Sequence, residues 1–580
     1  MVYDSAKGII FLQGWALIGN IESSSWDKDF FMTVKDGLWW SDEVTIKGEF
    51  KIRRNSSWAD ADTRGYAESG FKFTPGVTFK VTGPGNNINV PAEGAYTVAY
   101  NPETEEVTVY GKGSSQDDGV IKTADQLLAY LADPTKDAEL GANIDLTGKE
   151  FTPGRQSGTL DGKNFTVTYT LDVTEKIPAD VAEGTDKALL PEANVGLFKF
   201  VSGTIKNLKT AGSIKFSAEK GSGTYHIGGI AGYVEGTGKL QNCVNGVNIL
   251  ADTQCTHHIG GIAGFTAPGV NLLGCRNTGK VEMIIPEKGA ANASQLGGII
   301  GHIEGKGVVD NCTNDGQITY EGMGTPREAG ICGYINNLED VSFISCVNNG
   351  AIVWNEGNYT KSSWSYVGGI TGYYGTPTKG GEVLYDSCVN NGRIECNITE
   401  AKSKARVGGI ACHAGIATST IPDDGVMTWT LKNCVNNGDI NSTSTTANNY
   451  VGGIVGYSEI TAVVNVKGCT NNATLSVAGK GSVGGILGRN CSVKSSFKDV
   501  KVGKDTKLAV GDADGAFIGL VAGWQPLLTT AITGKVAGGT LTKGSDVIEI
   551  SSANFADYLL GKDSQALGEG GSITGVTFGE

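Results

Sequence analysis

Proline is scarce in this 580-residue chain, at 14 residues, and Met and His are scarcer still, at five each. Few prolines beside 86 glycines, no strict three-residue period and 39% apolar residues exclude a collagen-like or disordered chain and point to many tight turns. There is no basic excess either. Lys and Arg number 47 against 61 Asp and Glu, a net charge of −14, which argues against nucleic acid or an anionic membrane as partner. A neutral ligand such as a glycan is unaffected by that balance. Cys-x-x-Cys is absent, which leaves redox and zinc chemistry little support. One uncharged run, Gly515 to Gly534, has membrane-span length, but Gly519, Gly523 and Pro526 interrupt it and it reads as a last coil. No leader-like run or lipid-attachment Cys is read near Met1.

What is present is repetition. Between Gly228 and Gly488 a phrase typified by Val451-Gly-Gly-Ile-Val-Gly-Tyr457 occurs eight times, always with Ile at its fourth position: Ile230, Ile262, Ile299, Ile331, Ile370, Ile410, Ile454 and Ile486. Seven copies are followed by Cys-x-Asn, from Cys243-x-Asn245 to Cys469-x-Asn471, and successive copies lie 32 to 44 residues apart. Self-similarity at this period means stacked units, each unable to bury its apolar face alone. Gly-Gly-Ile is a poor helix former, so the units read as coils of a right-handed parallel β-helix. Each coil is expected to hold a Gly-Gly-Ile strand, a Cys-x-Asn strand and a third short strand, with Ile and Cys stacked inside and Asn at a corner. Seven cysteines in one register read as free, buried thiols rather than a disulfide framework.

The fold class is therefore all-β: an N-terminal β-sandwich followed by a long parallel β-helix with helical caps. Residues 1–112 are aromatic-rich short strands, with Tyr96 to Tyr100 and Val107 to Tyr110 read as a hairpin. Residues 113–119 form a polar linker, 120–194 an N-terminal cap and first coils, 195–535 the β-helix proper, and 536–580 a C-terminal cap. The N-terminal cap helix should start at Thr123, and a matching cap is read at Ser552 to Leu560.

Two resemblances follow from these motifs. Gly-Gly-Ile-x-Gly with Asn-Cys-x-Asn-x-Gly resembles the GLUG-type repeats of bacterial surface proteins and adhesins, from roughly Val120 onward. The segments Gly14-Trp15, Gly37-Leu-Trp-Trp40, Gly48-Glu-Phe-Lys-Ile-Arg53, Trp58, Asn87-Ile-Asn-Val90 and Gly94-Ala-Tyr-Thr-Val98 resemble the carbohydrate-binding modules of SusE/SusF-type starch-binding outer-membrane lipoproteins. In that family paired aromatics and a basic side chain contact an α-glucan, which the resemblance maps here onto Trp26, Lys51, Arg53 and Trp58. Independently, Lys51 and Arg53 share one face of a strand, and an exposed indole beside convergent donors suits a sugar ring. Trp15 and Trp40 are assigned to the sandwich core. A possible second binding surface is read on the longest coil insertions, at Trp354, Tyr359, Trp364, Tyr366, Tyr373, Tyr374 and Trp429.

No carboxylate pair recurs on adjacent coils, so no catalytic residue is assigned, and Asp423-Asp424 and Arg393/Glu395 read as solvated loop charges. His226 and His258 precede Gly-Gly and His302 and His413 follow it. The first two are expected to stack one coil apart without a metal, and no cofactor is expected. The resulting expectation is a non-enzymatic, exported polysaccharide-binding protein. It would be lipid-anchored at an outer-membrane surface or secreted, and would sit beside a glycan importer of a Bacteroidetes-type polysaccharide utilization system. An adhesin using the β-helix against a host or bacterial surface protein is the first alternative, and a β-helical polysaccharide lyase or hydrolase the second.

Overall fold

The computed structural model describes the chain except residues 1, 5–8, 12–13, 36, 112–118, 176, 178–184, 219–222, 253–254, 286–292, 323, 357–363, 376, 378–379, 400–402, 416–426, 447, 460–461, 493, 512–513, 515, 526, 529–530, 562–565, 568–571 and 580. It divides into two units, Met1–Leu127 and Leu128–Glu580. In the first, strand Val44–Arg54 is hydrogen-bonded antiparallel to Trp15–Ile21 on one side and Gly94–Asn101 on the other. The expected hairpin is there: Tyr100 pairs with Val107, and the Asn101 side chain accepts from the amides of Glu103 and Thr104 to close the turn. Trp15 is buried edge-on against Tyr100, ring centroids 4.8 Å apart, and Trp40 is buried against Tyr110. Thr123 caps helix Ala124–Ala132 by accepting the Gln126 amide, and the Gln126 side chain accepts the Thr123 amide in return.

The second unit is the parallel β-helix. One described coil runs Tyr450–Gly452, Val455–Ser458, Val463–Lys467, Thr470–Asn471 and Leu475–Val477, and its strands join three long sheets built rung upon rung. The coil differs from the three-strand expectation. Gly-Gly-Ile is the turn between two strands, not a strand, whereas the Cys-x-Asn strand is there, its last two residues forming a short strand after the Cys corner, as Val435–Asn436 does.

A contact between the two phrases explains why they travel together. The side chain of each ladder Asn lies where a Cβ on the second Gly of its own coil would stand: Asn245 on Gly229, Asn348 on Gly330, Asn471 on Gly453, and likewise between. Any larger residue there would displace the ladder. The eighth copy, at Gly485, has no Asn rung; Val502 follows Asn471 in that register. The seven Asn side chains form one buried chain, each amide donating to the next Oδ1 at 2.8–2.9 Å. Beside it the seven repeat cysteines are free and buried, six of their thiols donating to carbonyls of the coil below, as Cys346 does to Val309 at 3.2 Å. At the C-terminal end the expected cap helix is one 3₁₀ turn, Phe555–Tyr558, whose flanking residues continue the Gly-Gly-Ile rung. A short Asn- and Gly-bounded segment cannot sustain more helix than that.

One core rung is anomalous. Leu296, Glu328 and Val367 are successive neighbours in an aliphatic register, and Glu328 is 0% exposed with both carboxylate oxygens unpartnered. Burial pushes its pKa well above the usual carboxylate range, so the native state holds it as the neutral acid. The unfolded chain ionises this group above about pH 4.5, so its cost to stability grows as pH rises, by about 1.4 kcal/mol per unit until the native group also ionises. Glu328→Val should therefore stabilise the solenoid by about 2–4 kcal/mol at pH 7.5 and by less at pH 5. Urea denaturation at the two pH values checks this; equal gains at both would refute the buried neutral acid.

Candidate functional site

The N-terminal residues singled out above are partly brought together. Trp26 sits at φ +61° in a tight loop, where the Asp27 carboxylate accepts from Ser24 Oγ and the Ser25 amide. That turn sets its indole 6.2 Å from the Trp58 ring at 34°. Trp58 is 53% exposed and the Arg53 guanidinium stacks on it at 4.6 Å. Lys51 lies on the same face, half-buried. Arg53, however, is buried and held in a two-pronged pair with Asp29, Nε to Oδ1 at 2.7 Å and Nη2 to Oδ2 at 3.0 Å. It is a prop beneath Trp58 rather than a free ligand donor, and nothing in the local sequence marked Asp29 as its partner.

The second surface read from the sequence divides. Trp354 and Trp429 are core residues, Trp354 forming a rung with Tyr320 and Cys396 and donating to the Gly322 carbonyl at 3.3 Å. Tyr374 is buried with its hydroxyl 2.8 Å from Thr371 Oγ1, whereas Tyr373, one residue earlier, points the other way. Tyr359 lies outside the described residues. Trp364, Tyr366 and Tyr373 belong to a different feature.

That feature is a stripe made by two registers, one on each side of the Gly-Gly-Ile turn. On the strands after the turn the rungs read Phe200, Tyr233, Phe265, His302, Tyr334, Tyr373, His413, Tyr457, Arg489 and Trp524. On the strands before it they read Asn194, His226, His258, Gln295, Arg327, Tyr366, Arg406, Tyr450, Ser482 and Phe517. The glycines let the two strands approach so closely that these side chains interleave instead of facing the interior: His226 stacks on Phe265 at 4.7 Å, and Tyr366 meets Tyr373 at 4.2 Å.

The lower half of the stripe is built on histidine, with Arg155 at its foot stacked 4.2 Å over Phe200 and paired with Glu235. His226 and His258 are stacked at 4.9 Å and 12°, as the spacing predicts, and His302 joins them at 4.4 Å. Burial drives the His226 pKa down to about 3 and that of His258 well below its usual value. His302 is lowered by burial, against the opposing pull of Glu304, whose Oε2 is 2.9 Å from its Nε2. No group of three or more His, Cys, Asp and Glu side chains fit to hold a metal occurs among the described residues.

The upper half is cationic. Arg327 lies 4.1 Å over Tyr334, Arg406 3.8 Å over Tyr457, Arg489 3.5 Å over Trp524 and Lys404 4.3 Å over Trp364. Arg406 Nη1 is 2.9 Å from His413 Nε2. A guanidinium only donates, so Nε2 accepts and the His413 proton sits on Nδ1. Burial lowers the His413 pKa to about 4. Glu459 closes the cluster, its Oε1 3.3 Å from both Arg406 and His413. Sequence reasoning missed these arginines and Tyr450, although the signal was present: they occupy fixed offsets from Gly-Gly, as the histidines do.

A family model described as the GLUG motif matches residues 292–319. No curated protein matches the sequence. Two solved structures are similar in part. One is a candidate immunoglobulin A1 protease from Bacteroides ovatus, 16% identical, with a TM-score of 0.28, covering 63% of this chain and 76% of that one. The other is an IgA1 protease, 14% identical, with a TM-score of 0.31, covering 80% of this chain and 28% of that one. These findings correct the sequence-based function. Neither structure is a starch-binding lipoprotein, an adhesin or a polysaccharide-degrading enzyme, and both carry the name of an enzyme, so the reading as a non-enzymatic polysaccharide-binding protein is withdrawn with its two alternatives. The engagement of Arg53 by Asp29 and the burial of Trp354, Tyr374 and Trp429 remove contacts on which that reading relied. At this likeness no activity passes to the present chain. No helix among the described residues is long and apolar enough to cross a membrane. The chain carries a GLUG motif on a parallel β-helix.

Proposed function

We propose that the β-helix is a scaffold that lays an extended polypeptide along the ring-and-guanidinium stripe. The observation that supports this is the stripe itself: rings and cations repeat on consecutive rungs from Tyr334 to Trp524, with Tyr334, Tyr366, Tyr373, Arg489 and Trp524 half-buried and Arg406, His413, Tyr450 and Tyr457 buried between them, each rung held by its neighbours' hydrogen bonds. Rungs spaced about 4.8 Å apart make a rigid, linear array, and a linear array matches a linear ligand. Rings stack on planar peptide groups and apolar side chains, while guanidinium and phenol groups donate to backbone carbonyls.

The pair Trp26 and Trp58, with Arg53 beneath and Lys51 beside it, is proposed as a second contact point on the N-terminal unit, offering one free indole face to a ring of the same ligand class. The GLUG motif occurs in surface and secreted proteins, which supports an exported location. A library of labelled twelve-residue peptides, screened by fluorescence anisotropy, tests the reading. Binders should weaken tenfold or more in Tyr373→Ala/Trp524→Ala while Trp354 fluorescence and the melting curve stay unchanged. A library with no binder, or binding indifferent to both substitutions, would rule the stripe out.

A further inference from the structure

Charge is unevenly spread along the chain. Residues 460–545 hold ten Lys and Arg against four Asp and Glu, a local excess of six positive charges in a chain whose net charge is −14. On the outer face of the upper coils lysines stand in register. Lys432, Lys467 and Lys498 occupy three consecutive rungs, and Lys501 and Lys535 two rungs of a neighbouring column. Asp386 answers Lys432 at 2.9 Å, but no carboxylate among the described residues pairs with Lys467, Lys498 or Lys501. Like charges held about 4.8 Å apart on adjacent strands repel one another, so this face favours a bound anion.

One place beside these lysines is shaped to hold one. An exposed ladder of Asn side chains runs up the outside of the solenoid: Asn391 donates to Asn349, Asn437 to Asn391 and Asn472 to Asn437, each at 2.8–2.9 Å. It ends at Asn472, because the next rungs of its column are Gly503, Ala537 and Gly579. Where the side chains shrink, a cleft of about 310 Å³ opens, lined by Lys501 and Lys535 before the column and Lys504 and Asp505 after it. Asn472 Oδ1 lies at the foot of the cleft, 2.5 Å from where a Cβ on Gly503 would stand. That volume falls at the small end of ligand sites, about 300 Å³, enough for a small molecule or a single headgroup.

Charge balance selects the ligand. Three lysines in the lining against the one carboxylate of Asp505 leave two positive charges. A phosphomonoester carries about −1.5 to −2 near neutral pH and matches them, whereas a carboxylate or a sulfate ester brings a single negative charge. Lysine ammonium groups are flexible point-charge donors suited to phosphate oxygens, and Asn472 Oδ1 accepts from a hydroxyl on the alcohol of the ester. We infer that this cleft binds a phosphomonoester, free in solution or displayed as a lipid headgroup. It lies on the sheet of the Cys-x-Asn strands, not on the two sheets that carry the stripe, so it stands whether or not the stripe holds polypeptide.

Isothermal titration calorimetry of the full chain at pH 7.5 tests this with glycerol 3-phosphate, a dianion, against dimethyl phosphate, a monoanion. Glycerol 3-phosphate should bind on the order of tenfold tighter. That preference should be lost in Lys501→Gln/Lys535→Gln, which removes charge, and in Ala537→Leu, which fills the cleft and keeps every lysine. Melting curves check that both variants fold. Lys467→Gln/Lys498→Gln makes the same charge change outside the cleft and should leave the affinity within about threefold. Flotation with phosphatidylcholine vesicles, with and without phosphatidic acid, separates the two sources. Capture by phosphatidic acid that depends on the same residues, without affinity for glycerol 3-phosphate, assigns the ester to a lipid headgroup. Equal affinity for the two soluble phosphates, or equal losses in the two lysine pairs, would overturn the cleft in favour of diffuse attraction. Binding to neither soluble ester nor vesicle would overturn it outright.

Discussion

Lowering the pH from 7 to 5 should remove about 7 kcal/mol of the solenoid's stability, before most surface carboxylates begin to titrate. All five histidines of the chain, His226, His257, His258, His302 and His413, are buried in it. Burial lowers every one of their pKa values, to about 3 at His226 and His257 and about 4 at His413, with His258 also pressed by the imidazole stack and Arg327. The unfolded chain takes up a proton on each near pH 6.5 and the native chain does not, so stability falls as the pH drops below 6.5 and the loss stops near the native pKa values. Each group contributes up to about 1.4 kcal/mol per pH unit, and about 2 kcal/mol by pH 5. Glu328 opposes this slope by at most one proton. The two lowered carboxylates beside the histidines, Glu304 and Glu459, release their contribution only below about pH 4.5. Urea denaturation at pH 7, 6 and 5 measures the effect. His258→Phe, which keeps the stacked ring and removes the proton site, should restore about 2 kcal/mol at pH 5 and change little at pH 7. A flat profile between pH 7 and 5 would mean that the histidines are not held neutral in the fold.

Breaking the Asn ladder at its centre should be nearly as damaging. Asn348 accepts from Asn314 at 2.8 Å, donates to Asn390 at 2.8 Å and donates to the Gly350 carbonyl at 3.0 Å, all in a fully buried setting. Asn348→Ala leaves polar groups on two neighbouring coils short of partners and opens a void against Gly330, a cost of about 3–5 kcal/mol. Asn348→Asp should be worse at pH 7, because a buried carboxylate replaces the donor that faces Asn390 Oδ1. Asn471 is the control. It ends the ladder against Val502 and keeps one Asn neighbour, through Asn436 at 2.9 Å, so Asn471→Ala should lose about half as much. Equal losses at the two positions, measured by chemical denaturation, would show that the ladder does not act as a chain.

Both predictions depend on contacts between coils, and this is where reading the sequence runs short. The period of Gly-Gly-Ile and Cys-x-Asn was enough for the solenoid, its buried thiols and the stacking of His226 on His258, because in-register parallel coils place equal offsets above one another. In the same way the alternation in the first hundred residues sufficed for the sandwich-like sheet, its hairpin and the burial of Trp15 and Trp40. Period alone could not say which residue of a phrase turns. Gly-Gly-Ile is a turn, and in seven copies the Asn side chain occupies the space over its second glycine, a meeting of residues 16 to 27 positions apart.

The candidate site divides in the same way. The sequence alone determined that aromatic and basic side chains were available at Trp26, Arg53, Trp58, Trp354, Trp364, Tyr373 and Trp429, and that the solenoid repeats about every 4.8 Å. Only the tertiary structure decided which of them are buried or engaged by neighbours. Arg53 closes on Asp29, Trp354 and Trp429 turn into the core, Arg327 comes to lie over Tyr334 across the turn of its own coil, and Arg406 and Arg489 lie over rings of the next coil. The reason is geometric. Neighbours along a strand point to opposite faces, so one residue's difference in register separates core from stripe, and partners that settle a side chain's role can lie a coil away in space, as Asn471 does from Asn436 and Glu459 from Arg406.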